Sequence, residues 1–162
     1  MTTPERTALL LLNTGSPDAP EASAVRRYLA EFLSDERVIE LPKWKWWPIL
    51  HGIILRVRPA KSAERYRGVW TEDGSPLLVH TKSIAEKLGR RLEGEGISVH
   101  WASCSGNPSI PAVLTDLEKA GVERLVVLPL FPQYAPQTTA SAFDAVFRHL
   151  MTRRSQPALT TV

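Results

Sequence analysis

Three times along the chain an apolar run gives way to a short polar loop containing proline and then to an amphipathic segment. The loops are Asn13-Thr14-Gly15-Ser16-Pro17, Ser103-Cys104-Ser105-Gly106-Asn107-Pro108 and Pro132-Gln133-Tyr134-Ala135-Pro136-Gln137-Thr138. The first run, Thr7-Ala8-Leu9-Leu10-Leu11-Leu12, is continuous rather than alternating, which marks a strand buried on both faces of a parallel sheet. In such sheets the loops gather at the carboxyl edge, where ligands bind. The pattern therefore locates a candidate site before any side chain is considered.

Between the strands the apolar positions fall at helical spacing. Val25, Tyr28, Leu29, Phe32 and Leu33 form one stripe. A helix is predicted from about 77 to 93, with Ile84, Ala85, Leu88 and Leu92 inward and Gly94 and Gly96 as its stop. Strands are predicted at 97–103 and 124–130. A helix over 109–120 carries Ile110, Val113, Leu114 and Leu117, and one over 138–153 carries Phe143, Val146, Phe147, Leu150 and Met151. A fourth strand begins at Pro157. This alternation predicts an α/β domain with an open, mostly parallel sheet and helices on both faces.

Residues 36–76 break the alternation. Of the chain's 20 basic and 17 acidic residues, seven basic (Lys43, Lys45, Arg56, Arg58, Lys61, Arg65, Arg67) and one acidic (Glu64) lie between 43 and 67. The remainder is mildly acidic, 13 against 16, so the net charge of +3 conceals one strongly basic segment. Such a patch suits an anionic partner: carboxylates, phosphates or an acidic lipid surface. Residues 36–76 also hold four of the five tryptophans. Lys43-Trp44-Lys45-Trp46-Trp47-Pro48-Ile49-Leu50 interleaves ammonium groups with indoles. It reads either as a core-covering helix with its lysines in water or as an apolar lip meeting a flat ligand or a membrane interface, and the charge density favours the lip.

Several functions are disfavoured. No G-x-G-x-x-G opens a helix and no G-x-x-x-x-G-K-[ST] occurs, which argues against a nucleotide cradle. No Cys or His pair has zinc-ligand spacing, and nucleic acid is not an expected partner. His80 and His100 read as core histidines in apolar surroundings, and His149 as a surface residue near a helix end. The single cysteine, Cys104, fits a reducing compartment. The absence of a leader-like start or a span-length apolar run points to a cytoplasmic protein.

Sequence blocks carry the reading further. Leu9-Leu10-Leu11-Leu12-Asn13-Thr14-Gly15-Ser16-Pro17-Asp18-Ala19-Pro20 and Val25-Arg26-Arg27-Tyr28-Leu29-Ala30-Glu31-Phe32-Leu33-Ser34-Asp35 resemble the opening of proteobacterial ferrochelatases. So do Trp46-Trp47-Pro48-Ile49-Leu50, Tyr66 followed by Gly74-Ser75-Pro76-Leu77, Gly106-Asn107-Pro108-Ser109, and Val127-Leu128-Pro129-Leu130-Phe131-Pro132-Gln133-Tyr134. The blocks follow the family's order over nearly the whole chain. The resemblance implies a Rossmann-like chelatase fold of two similar halves, residues 1–162 forming the N-terminal one with a lid insertion at about 36–76. It implies insertion of ferrous iron into protoporphyrin IX, the terminal step of protohaem synthesis, with iron and porphyrin as substrates and no bound cofactor.

By the same resemblance Thr14, Arg58, Arg65, Tyr66 and Ser75 match porphyrin-contacting positions. Each has a plain structural alternative: Arg65 and Tyr66 can pack or cap the lid helix, and Ser75 can be an N-cap. Trp44, Trp46, Trp47, Ile49 and Leu50 are assigned to the lip, with peripheral contact at an anionic inner-membrane face. The chain departs from the family pattern at Cys104-Ser105, where relatives often carry Arg-Tyr. One cysteine leaves no room for an iron–sulfur cluster. The family's catalytic histidine and glutamate belong to a second half that this sequence does not contain, and His51-Gly52 aligns with the lid instead. No catalytic or metal-binding residue is assigned here. The expected partner is therefore the missing half or a second copy. The alternatives are a non-catalytic porphyrin carrier and, third, a homodimeric chelatase for another tetrapyrrole.

Overall fold

The computed structural model describes residues 6–162. Four parallel strands, β1 (Thr7–Asn13), β2 (Ile97–Ser103), β3 (Arg124–Pro129) and β4 (Ala158–Thr161), form one open sheet in the order β2-β1-β3-β4. The helices are α1 (Ala22–Phe32), α2 (Lys43–Ile49), α3 (Leu55–Arg67), α4 (Pro76–Arg91), α5 (Ile110–Lys119) and α6 (Ser141–Met151). Two π-helical turns, Leu50–Ile54 and Pro136–Ala140, join α2 to α3 and lead into α6. The α/β class and all four strands are those expected from the sequence.

β1 is the central strand, and its alternate side chains build the two layers. Ala8, Leu10 and Leu12 lie in register with Leu125, Val127 and Pro129 of β3. With Ala102 they pack against Ile110, Leu114 and Leu117 of α5 and Ala142, Val146 and Leu150 of α6. Six leucines, isoleucines and valines of this layer (Leu10, Leu12, Ile110, Leu125, Val127 and Val146) are essentially inaccessible, each worth roughly 1.5–3 kcal/mol of burial. On the opposite face α4 packs on β2, and Asn13 donates to the Thr81 hydroxyl at 2.9 Å.

Helix α4 departs from its predicted pattern. Ala85 is buried and Leu88 half-buried, but Ile84 is exposed. The buried position one turn earlier is Thr81, whose hydroxyl donates to the Leu77 carbonyl and thereby satisfies itself inside the core. Phe147 and Met151 of α6 are also exposed, because α6 faces the sheet with Ala142, Val146 and Leu150, and Phe143 and Ala145 pack at its margin.

The insertion is helical rather than looped, and it has its own core. Leu50, Leu55 and Ala63 pack against Val25, Tyr28, Leu29 and Leu33 of α1 and its C-cap. The buried positions of this rod are spaced four, five, four and four: half-buried Trp46, then Leu50, Leu55, Pro59 and Ala63. The step of five coincides with the π turn, whose extra residue returns α3 to the face that α2 began.

Loops one and two interlock at the carboxyl edge. Gly15 has φ +95°, and a Cβ there would sit 1.9 Å from the Ser105 carbonyl oxygen. Reciprocally, Gly106 has φ +82°, and its Cβ would sit 2.5 Å from the Ser16 carbonyl oxygen. Cys104 and Ser105 donate their amides to the carbonyls of Asn13 and Thr14 at 2.8 and 3.0 Å. Gly15→Ala is expected to destabilise the chain by more than about 2 kcal/mol in urea unfolding, because strain and clash coincide; a loss below about 0.5 kcal/mol would show that the loops can part freely.

Candidate functional site

The strand order reverses between β1 and β3, since β1 connects through α1–α4 to β2 on one side while β3 lies on the other. That switch point opens a crevice at the carboxyl ends of the strands. Thr14 stands at its edge, half-buried, with its amide bonded to the Asn13 carboxamide oxygen at 2.8 Å. Leu130, just past β3, donates to the Leu12 carbonyl at 2.7 Å and starts the third loop beside the first. Tyr134 in that loop is 68% exposed.

Tyr66 and the first loop are linked through Tyr28. The Tyr28 hydroxyl points at the Gly15 carbonyl, 3.5 Å away, and its ring stacks on Phe32 with centroids 5.9 Å apart. Burial and then the neighbouring Tyr66 raise the Tyr28 pKa, so this phenol stays protonated. Tyr66 is half-buried, set edge-on to Trp70, and its own pKa is raised by burial. Ser75 is buried at the N-cap position of α4 but makes no side-chain capping bond; Pro76 at the first helical position has no N–H to satisfy.

Arg58 and Arg65 lie two turns apart on α3, hence on one face, and both are exposed. Among the described residues no carboxylate pairs with Arg56, Arg58, Lys61 or Arg65, whereas Lys43 pairs with Glu36 at 2.8 Å. Arg58, Lys61 and Arg65, exposed on one side of a rigid helix without counter-ions, form a ready anion surface.

The lip is narrower than the sequence suggests. Leu50 does not belong to it: at 1% exposure it is buried in the α1–α3 cluster. Trp46 is half-buried, and its indole N–H donates to the Leu33 carbonyl at 2.7 Å, anchoring the rod to the end of α1. The exposed apolar row is Trp44 (74%), Trp47 (63%), Ile49 (39%), Ile53 (58%) and Val57 (69%). Trp44 lies under the Lys45 ammonium, 5.0 Å from it, and Trp47 against His51. Val57 joins this row because the π turn shifts the helical phase ahead of it, a shift that no simple sequence period signals.

The histidines do not converge. His51 is in the lip, His80 is exposed on α4 instead of buried, and His100 faces the α5 layer on edge strand β2. His149 is half-buried at the far end of α6, and its Nε2 accepts from Arg153 at 3.3 Å. Burial lowers the pKa of His100 and of His149, with Arg153 adding to the latter, so the helix-end position does not favour a cation there. No cluster of three or more potential metal ligands occurs among the described residues. Cys104 is largely buried, its thiol pushed up to about 12 by burial and then by Asp35, which leaves it unreactive as a nucleophile.

A sequence model of the ferrochelatase family matches residues 6–162. The chain belongs to the ferrochelatase family. Similar proteins include ferrochelatase 2 of Shewanella oneidensis, 56% identical over 156 residues, covering 95% of this chain and 48% of that protein. The ferrochelatase of Marinobacter nauticus is 51% identical over 157 residues (95% and 42%), and that of Bordetella pertussis 50% identical over 161 residues (98% and 44%). The chain thus spans about half the length of the curated ferrochelatases it matches. No helix among the described residues is long and apolar enough to cross a membrane.

Proposed function

We propose that this chain is the porphyrin-binding half of a ferrochelatase, which inserts ferrous iron into protoporphyrin IX to complete protohaem synthesis. The observation that carries the reading is the unpaired basic face of α3 beside an aromatic rod and the carboxyl edge of the sheet. A porphyrin is a flat apolar disc with two propionates at its rim. Arg58 and Arg65 are suited to the carboxylates through charge-assisted hydrogen bonds, while Tyr66, Thr14 and the buried Ser75 line the side facing the sheet. Metal insertion also needs a base for two pyrrole protons and delivery of the ion to one face of a held macrocycle. The scattering of the four histidines supports a chain that holds porphyrin and does not insert metal on its own. Its partner in catalysis is the remaining length seen in its relatives, or a second copy.

The exposed row from Trp44 to Val57, flanked by Lys45, Arg56 and Lys61, supports peripheral contact with an anionic membrane on the cytoplasmic side. Hydrophobic side chains enter the interface while the cations meet lipid headgroups.

Protoporphyrin titration is expected to quench the tryptophans, with Arg58→Ala and Arg65→Ala together weakening binding about tenfold. Zinc insertion, read by fluorescence in the same cuvette, is expected at the protein-free rate. Faster insertion would place a base within these residues, and no quenching would remove the porphyrin assignment altogether. Vesicles containing phosphatidylserine are expected to sediment the chain at low salt and to release it at 0.5 M salt, about the point where surface charges are screened within a few ångströms. Unchanged sedimentation of the Trp44→Ala, Trp47→Ala double variant would contradict the lip.

A further inference from the structure

The turn that launches the lid is fastened to α6 by two carboxylate contacts that the porphyrin reading does not use. Asp35 and Arg37 follow α1 directly. The Asp35 main-chain carbonyl accepts from Val38 and Ile39 at 3.0 Å each, and one of its carboxylate oxygens accepts the Arg37 amide at 2.8 Å, so the turn is rigid. The other carboxylate oxygen accepts the hydroxyl of Ser141, the first residue of α6. One helical turn on, Asp144 receives Arg37 in a two-point bond, Nε at 2.8 Å and Nη2 at 3.2 Å. Arg148 also approaches Asp144, its Nη2 lying 3.7 Å from the oxygen that accepts Arg37 Nε. The Arg37 bond holds the Asp144 carboxyl below the ordinary carboxylate range, so the pair persists throughout the neutral region.

The location gives this contact its meaning. Residues 34–37 are the root of the lid rod, directly after Leu33, whose carbonyl holds Trp46. Ser141 and Asp144 are the first turn of α6, entered directly from the π turn that ends the third sheet-edge loop. The two walls of the candidate site are therefore joined here, through fork geometry that fixes distance and angle together.

We propose that Asp35 and Arg37 are positioning residues, which clasp the first turn of α6 and thereby set the separation between the lid and the loop after β3. The assignment rests on the porphyrin-binding reading, since that separation matters for a disc held between the two. Neither residue touches the ligand; each acts through the wall it fastens.

Hydrogen exchange by mass spectrometry tests this on the full chain, alone and with protoporphyrin, in Arg37→Gln, Asp144→Asn and the double variant. Peptides covering 38–50 are expected to exchange about fivefold faster in each single variant, while β1 and β3 peptides stay at the wild-type rate. Protoporphyrin affinity is expected to weaken by a similar factor. The double variant is expected to be no worse than the more severe single, because both remove one contact. Arg148→Gln, which leaves the fork intact, is expected to resemble wild type. Unchanged lid exchange, additive effects, or acceleration spread equally over β1 and β3 would each overturn the clasp. A wild-type chain that takes up no porphyrin would count against the binding reading, while the exchange pattern would still decide the clasp.

Discussion

Everything at the carboxyl edge depends on two backbones passing closer than side chains allow. Gly15 gives way to the carbonyl of Ser105, and Gly106 gives way to the carbonyl of Ser16. Both glycines hold left-handed φ values, so the close approach and the chain reversal are solved at the same residues. The contact aligns the loops after β1 and β2, and through them it fixes Thr14 and the Gly15 carbonyl toward which Tyr28 points. A larger residue at either position would push apart the loops that form one rim of the crevice.

The second wall is built on different physics. The lid rod shares no core with the sheet layer formed by α5 and α6. It packs on α1 through Leu50, Leu55 and Ala63, with Trp46 bonded to the end of that helix. Two small cores meeting at a polar seam make a hinge-like architecture unless something fastens the seam. The fork between Arg37 and Asp144 and the bond between Asp35 and Ser141 lie on that seam. The basic face of α3 and the tryptophans can then stay solvent-exposed without loosening the fold, because the opposite side of the rod carries the packing.

Much of this was legible in residue order alone. The continuous apolar run at 7–12 announced a parallel strand buried on both faces, and the Pro-containing loops announced the carboxyl edge at which they gather. Both were readable because burial on two faces and turn chemistry are local demands. The lip was read less accurately. Trp46 through Leu50 is apolar at nearly every position, so composition could not say which side faces inward, and a π turn is not encoded by any simple period. The apolar pattern therefore points Leu50 outward and gives no sign of Val57. Ile84 failed differently: helix α4 buries Thr81 where a purely apolar count favours the isoleucine. The clasp left no local signal, because Asp35 and Ser141 lie 106 residues apart. Tyr28 looked like one more core residue of a helical stripe, and only its position beside Gly15 and Tyr66 gives it a second role.

The most direct test of the porphyrin-binding account is amide and side-chain NMR shift mapping of the chain during titration with zinc protoporphyrin. The account predicts perturbations concentrated at Thr14, Gly15, Arg58, Arg65, Tyr66, Ser75 and Tyr134, with the opposite end of the sheet silent. Perturbations centred instead on the cavity of about 390 Å³ between α5, α6 and β3, around Leu117, Val122, His149 and Pro157, would contradict it.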